Sequence, residues 1–196
     1  MAELPSTHGL IVLAAGASRR LGKSKQLLRL HGETLVRRAT RVGLATKPQS
    51  AVLVVGAEAD FVYASVADLP VHRVDCVDWS LGMGASLRAG LEALPSACAG
   101  ALIVLCDQPA LDAPHLQQLV AAWRANPCGA AASSYSGRLG VPALLPRAWF
   151  AELMADVGDQ GARQLLVRRR EAVAAIVNEA LALDLDQRSD LGRIDT

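Results

Sequence analysis

The residues of this 196-residue chain best suited to chemistry stand in the loop Leu13-Ala14-Ala15-Gly16-Ala17-Ser18-Arg19-Arg20-Leu21-Gly22-Lys23-Ser24-Lys25. The small side chains at 14–17 let a planar base or a phosphate approach the backbone, whose N–H groups can face an anion. Arg19 and Lys25 add the fixed charge a triphosphate needs, one as a planar fork and one as a point charge. A glycine-containing turn is also how ordinary strands enter helices, so the clustered cations Arg19, Arg20, Lys23 and Lys25 carry the reading. Gly16 and Gly22-Lys23-Ser24 invite comparison with the GxxxxGK[ST] phosphate loop. Five residues separate the two glycines here instead of four. The wrap of amides around phosphates depends on that count, and the comparison fails.

Asp107 follows the apolar run Ala101-Leu102-Ile103-Val104-Leu105 and precedes Gln108-Pro109. A carboxylate at the carboxyl end of a core strand is placed to hold Mg2+, or Mn2+ in its stead, over the sheet edge. The plain alternative is a turn-forming Asp. Asp184 and Asp186 lie two apart on an extended-looking segment and so share a face; a solvated acidic stretch is the alternative there. Gly82-Met83-Gly84-Ala85-Ser86 reads as a glycine turn opening a helix. Its first-turn amides and Ser86 can donate to a ribose, base or phosphate, and ordinary capping by Ser86 is compatible with that. Gly56, closing Ala51–Val55, is a candidate wall of a base pocket. Asp159 reads as the cap of a helix from Gln160, and Arg168-Arg169-Arg170 as a solvated helix end whose cations suit the dipole. His8, His31, His72 and His115 form no triad or metal spacing. Cys106, beside Asp107, is a candidate reactive neighbour.

The elements that must position these residues alternate. Short buried strands are expected at Gly9–Leu13, Ala51–Val55, Val71–Asp75 and Ala101–Leu105, with helices at about Lys25–Gly43, Ala85–Leu94 and Pro114–Trp123. Further strands are expected at Ala130–Ser134, Ala143–Leu145 and Ala172–Val177, with helices from about Ala148 and Gln160. Continuous apolar strands separated by helices imply an α/β fold: a mostly parallel mixed sheet with helices on both faces, three layers, Rossmann-like, in one domain. In such sheets ligands sit beyond the carboxyl ends of the strands, where the loop after Leu13, the Gly82 turn and the Asp107 turn all fall.

Composition narrows the classes. With 52% hydrophobic and 20% charged residues the chain is globular. A net charge of +1, from 20 basic and 19 acidic residues, provides no field for nucleic acid or an anionic membrane, so neither is an expected partner. Cys76, Cys98, Cys106 and Cys128 form no CxxC pair and fit free thiols in a reducing compartment. No apolar run approaches the roughly 20 residues a spanning helix needs, and no signal peptide is evident. The cytoplasm is the expected location.

LAAGASRRLGKSKQLL, residues 13–28, resembles the LAxGxxxRxGxxK signature of the molybdenum cofactor nucleotidyltransferases. Four further segments carry the likeness in order. Gly82-Met83-Gly84-Ala85-Ser86-Leu87 resembles a GMxxSL segment, and Leu105-Cys106-Asp107-Gln108-Pro109 stands where that family has GDxP. Gly158-Asp159-Gln160-Gly161-Ala162-Arg163 resembles the GDxGAR loop of the cytidylyl branch. Leu183–Leu191 resembles a terminal (D/N)I(D/N)TPxDL, with Gln187-Arg188 replacing Thr-Pro. The resemblance implies transfer of a nucleoside monophosphate from CTP or GTP to molybdopterin, with release of pyrophosphate and a nucleotidyltransferase fold. It implies Arg19, Lys25 and Asp107 as catalytic residues. A nucleotide site would comprise Leu13, Ala14, Ala15, Gly16, Ser18, Arg19, Lys25, Gly56, Gly82, Ser86 and Asp107. It further implies Asp107 and Asp186 as metal ligands, and Asp159 and Arg163 as acceptor contacts. The nucleotide-binding half would run over about 9–110 and the acceptor half over about 111–196. An Ala-Ala-Gly start, with Ala15 at its centre, is associated with CTP, and Ala-Gly-Gly with GTP. A molybdoenzyme or its chaperone would receive the product. Two rivals stand beside this reading: a sugar-phosphate nucleotidyltransferase, and a nucleotide- or cofactor-binding protein without transfer activity.

Overall fold

The computed structural model describes residues 7–19, 21–155, 162–185 and 190. Its centre is β1 (His8–Leu13), an unbroken buried run. Alternate side chains of such a run point to opposite faces, and both faces here are covered. Leu10 and Val12 pack beneath α1 (Leu35–Leu44), α2 (Ala59–Ala64) and α4 (Ala113–Ala125). Ile11 and Leu13 pack beneath α3 (Met83–Ala93), α5 (Phe150–Ala155) and α6 (Ala162–Arg168). Each fully buried Leu or Ile contributes on the order of 2 kcal/mol. The three expected layers are thus formed by two apolar clusters, one on each side of a single sheet.

β1 pairs in parallel with β4 (Ser50–Val55) and β6 (Gly100–Leu105), and β4 pairs in parallel with β5 (His72–Asp75). Beyond β6 lie β8 (Arg138–Pro146), β7 (Ala130–Tyr135) and β9 (Val173–Val177), giving the order β5-β4-β1-β6-β8-β7-β9. Only β8 runs against its neighbours, which makes the sheet mixed but mostly parallel. The expected strand Ala143–Leu145 is the buried middle of this longer β8, joined to β7 through Ser136 and Gly137 at φ 50 and 69.

One expectation is corrected. The helix anticipated over 25–43 is three pieces: a 3-10 turn at Lys25–Leu27, a small hairpin of β2 (Arg29–Leu30) and β3 (Glu33–Thr34), and then α1. His31 and Gly32 take φ 50 and 81, the left-handed pair that turns a two-residue hairpin. Thr34 then caps α1 through its side chain, which accepts from the Arg37 amide at 3.4 Å. α2 was not anticipated; it follows Glu58, itself at φ 53.

Candidate active site

Because β1 lies between β4 and β6, the carboxyl ends of all three strands emerge together, with Leu13 in register with both Val54 and Leu105. Ala14 donates its amide to the Val54 carbonyl at 2.9 Å, and Ala57 donates to the Ala15 carbonyl at 3.0 Å. These bonds bury Ala14 and Ala15 and fix where the loop starts. The chain then turns over Ser18, at φ 51, whose carbonyl accepts from the amides of Leu21 and Gly22 at 3.0 and 3.1 Å. Gly16 and Arg19 remain exposed on this turn.

Lys25 and Asp107 meet: Nζ lies 2.5 Å from Oδ2, with the two side chains 18% and 12% exposed. The other carboxylate oxygen, Oδ1, is buried and has no hydrogen-bond partner. A buried carboxylate oxygen left unmatched is costly, and a hard oxygen donor is what a divalent cation takes. The backbone around Asp107 is held on several sides. Leu185 donates its amide to the Asp107 carbonyl at 3.0 Å while burying its side chain with Leu30 and Leu35. The side-chain Nε2 of Gln108 donates to the carbonyls of Val141 and Leu181, each at 3.2 Å. Arg38 donates to the carbonyls of Pro109 and Leu111. The Leu185 bond brings the exposed Asp184 alongside Asp107. Asp186 and Asp159 lie outside the described residues. Among the described residues, no three His, Cys, Asp or Glu side chains gather as a metal cluster. The expectation for Cys106 is overturned: burial, with the Asp107 carboxylate adding, pushes its thiol up to about 12, which makes it an unreactive core residue.

A Cβ on Gly56 would lie 2.6 Å from the Trp79 ring and 2.8 Å from the Ala15 carbonyl, so glycine is what permits Trp79 to close that side. Gly82 caps α3 at φ 113, a conformation that favours glycine, and its amide donates to the Trp79 carbonyl. Ser86 is buried in the first turns of α3. The N-terminus of α3 therefore faces the same edge as the loop, with the positive end of its dipole directed there.

Beside this edge opens a cleft of about 840 Å3, lined by Met83, Leu105, Tyr135, Val141, Arg163 and Val167 among others. Tyr135 donates its hydroxyl to the Val141 carbonyl at 2.9 Å. Burial raises its phenol above the usual range, with the carboxylates of Asp184 and Asp107 adding, so it stays protonated. Arg163 is shared with a smaller adjoining pocket that Arg138 and Arg170 also line. The structure thus brings residues 13–19 and 21–25, Gly56, Gly82, Ser86 and Asp107 to one edge, and sets Arg163 in the lining of the neighbouring cleft.

Sequence reasoning missed Gln26, Trp79 and Tyr135. Gln26 is 1% exposed, and its side-chain amide donates to the carbonyls of Ala14 (2.9 Å) and Gly16 (2.6 Å). A polar amide directly before Leu27-Leu28 was the available signal.

The sequence profile of the MobA-like NTP transferase domain matches residues 10–173. The nicotine blue oxidoreductase of Paenarthrobacter nicotinovorans is 33% identical, with 98% of each chain covered. The purine catabolism protein PucB of Bacillus subtilis is 30% identical over 90% of this chain and 88% of its own. A probable molybdenum cofactor guanylyltransferase of Synechococcus elongatus is 36% identical over 58% of this chain and 55% of its own. Among solved structures, Rv0371c of Mycobacterium tuberculosis superimposes at a TM-score of 0.83 with 28% identity, covering 96% of this chain and 97% of that one. Rv0371c in complex with manganese superimposes at 0.81 with 26% identity over 96% and 97%.

Proposed function

Because this chain belongs to the family of MobA-like NTP transferase domains and is a nucleotidyltransferase, we propose that it transfers CMP from CTP to the terminal phosphate of molybdopterin and releases pyrophosphate. The observation that carries the reading is the Lys25–Asp107 pair, with an unmatched carboxylate oxygen, at the sheet edge beside the cleft that Leu105 and Met83 line. Residues of about 9–110 would hold the nucleotide and those of about 111–196 the acceptor.

In this reaction an oxygen of the acceptor phosphate attacks the α-phosphorus of CTP. A P–O bond forms, the bond to the β-phosphate bridging oxygen breaks, and pyrophosphate carries away the electron pair. The acceptor is already a nucleophile, so no covalent enzyme intermediate is required. Lys25 and Arg19 neutralise the triphosphate, the amides of 15–18 and of the α3 N-terminus orient it, and Ser86 and Gly56 bound the nucleotide. Asp107, with Asp186, would hold Mg2+ or Mn2+, and such an ion supplies charge neutralisation on the phosphate oxygens. The manganese complex of Rv0371c supports a divalent ion. Arg163 and Asp159 would receive molybdopterin in the cleft. Positioning and charge neutralisation account for most of the rate. A molybdoenzyme or its chaperone would take the product.

The Ala14-Ala15-Gly16 start and the GDxGAR-like loop at 158–163 favour CTP. GTP as donor is favoured by the guanylyltransferase relative. The test gives purified protein Mg2+ or Mn2+, molybdopterin and, in turn, CTP, GTP or ATP, with a sugar phosphate as a control acceptor. Pyrophosphate release with CTP and molybdopterin is expected. Release with GTP instead would correct the base, release only with the sugar phosphate would correct the acceptor, and release with none would overturn the reading. A separate mixture supplied with nicotine blue and a two-electron donor, followed by the dye's absorbance, tests the activity named for the Paenarthrobacter relative.

A further inference from the structure

Gln26 is a buried polar side chain that is fully bonded, and no reactive role accounts for it. A primary amide has two donor hydrogens and two acceptor lone pairs. Here all four are used: Nε2 donates to the Ala14 carbonyl at 2.9 Å and the Gly16 carbonyl at 2.6 Å. Oε1 accepts from the Ser24 hydroxyl at 2.9 Å and the Ser18 hydroxyl at 3.3 Å. One buried amide therefore joins the start of the loop, at 14 and 16, to its crest at 18 and its end at 24.

The pattern also reaches the charged pair. The Ser18 hydroxyl that donates to Gln26 accepts from the Lys25 backbone amide at 3.1 Å. Ser18 sits at φ 51, a conformation that a residue with a side chain holds only when its surroundings impose it. With the carbonyls of Ala14 and Gly16 turned inward onto Gln26 and the Ala14 amide given to Val54, the amides at 15–18 are left to the open side of the loop. The same network sets where Lys25 begins its reach to Asp107.

We propose that Gln26 is a positioning residue for the nucleoside triphosphate: its amide holds residues 14–18 in the receptive conformation and couples that conformation to the Lys25–Asp107 pair. This rests on the reading above, that the loop binds nucleotide. Glutamate has the same length and keeps the acceptors but loses both donors, and methionine fills the space with neither. Asparagine is one methylene too short to reach both carbonyls. The chemistry demanded is thus that of glutamine, beyond mere bulk or polarity.

The test measures direct binding of Mg2+-CTP, Mg2+-GTP and Mg2+-ATP to the full chain, the KM of each substrate, and Tm. The variants are Gln26→Met, Gln26→Glu and Ser24→Ala. Trp123→Phe serves as a destabilised control, because Trp123 is buried against Gly100 at the opposite end of β6. Gln26→Met and Gln26→Glu are each expected to weaken binding of the preferred nucleotide at least tenfold, about 1.4 kcal/mol, with the acceptor KM unchanged. Ser24→Ala, which removes one of the two bonds to Oε1, is expected to weaken it two- to threefold. Trp123→Phe should lower Tm without changing nucleotide affinity. Binding by Gln26→Met within twofold of the wild type overturns this inference alone, as does loss of affinity in Trp123→Phe that matches its loss of Tm. Absence of nucleotide binding by the wild type overturns both this inference and the function it deepens.

Discussion

Replacing Asp107 by asparagine keeps the shape of the side chain and removes its charge, which separates a chemical role from a structural one. In the wild type the carboxylate lies 2.5 Å from the Lys25 ammonium, and both side chains are less than one-fifth exposed. Removing one partner of a fully buried pair costs about 3–5 kcal/mol. Solvent still reaches this pair, and the asparagine carbonyl keeps an acceptor for Lys25, so about 1–2 kcal/mol is the expected loss. For a domain of about this size each kcal/mol shifts Tm by roughly 2–4 °C, so Tm should fall by about 2–8 °C. Turnover should suffer much more. Asp107 Oδ1 is buried and unmatched, and an amide in its place cannot hold a divalent cation with comparable strength. A loss of about 4 kcal/mol of transition-state stabilisation corresponds to roughly 10³ in rate. The assay is pyrophosphate release at saturating CTP, molybdopterin and Mg2+ or Mn2+, alongside a thermal melt with and without Mn2+-CTP. The wild type should gain Tm from Mn2+-CTP, and Asp107→Asn should gain little. Turnover within tenfold of the wild type would refute the metal role. A fall in Tm of more than 15 °C, far above the ~2–8 °C worked from the pair, would show that Asp107 serves chiefly to hold the fold.

Arg163→Ala should raise the KM for molybdopterin about tenfold or more, since hydrogen bonds to charged groups contribute ~1.5–3 kcal/mol; the affinity for CTP, measured separately, should not change. Tyr135→Phe removes the hydroxyl bonded to Val141 beside the same cleft, and a several-fold rise in acceptor KM with unchanged CTP binding is expected from steady-state kinetics. Burial, with Arg124 adding, lowers the His8 imidazole from 6.5 to about 4. The unfolded chain therefore takes up a proton in that window that folded His8 refuses. Stability from His8 is complete above about 6.5 and falls as the pH drops towards 4; melts across this range should slope less for His8→Gln, and an unchanged slope would contradict the assignment. Among the cysteines Cys128 is exposed and the other three are buried, so a thiol reagent on the native protein should modify one residue rapidly and leave Cys106 intact by mass spectrometry.

What the chain discloses directly is the part of the fold encoded in side-chain pattern. Leu10 and Val12 alternate with Ile11 and Leu13, and all are apolar, which requires a strand covered on both faces. The order of strands and helices follows from that, and with it the common edge where Leu13, Gly56 and Asp107 emerge. The stretch 28–34 was not legible in the same way. Its leucines suit a helix, while the decision is made by two residues, His31 and Gly32, in left-handed conformations. The reversed β8 was signalled only by Ser136-Gly137, a two-residue turn between strands that were read as separate.

The site divides along the same line. Lys25 and Asp107 could be named from sequence because their charges suit phosphate and metal. Gln26 could not, because what it bonds are the carbonyls of Ala14 and Gly16, ten to twelve residues back; no pattern of side-chain types records which backbone atoms will need donors. Asp107 and Asp184 show the difference within one residue type. Both are aspartates near the ends of apolar segments, but Asp184 is exposed, and Asp107 is buried with one oxygen given to Lys25 and the other unmatched. Solvent reaches the Asp184 carboxylate, so burial imposes no demand there. The fold withholds water from Asp107 Oδ1 and offers no protein donor in exchange, and a bound cation would resolve that deficit. The residue type is therefore common to both positions, and the unmet demand that makes one of them a candidate metal ligand arises from its burial, at a turn that Leu185, Gln108 and Arg38 hold in place.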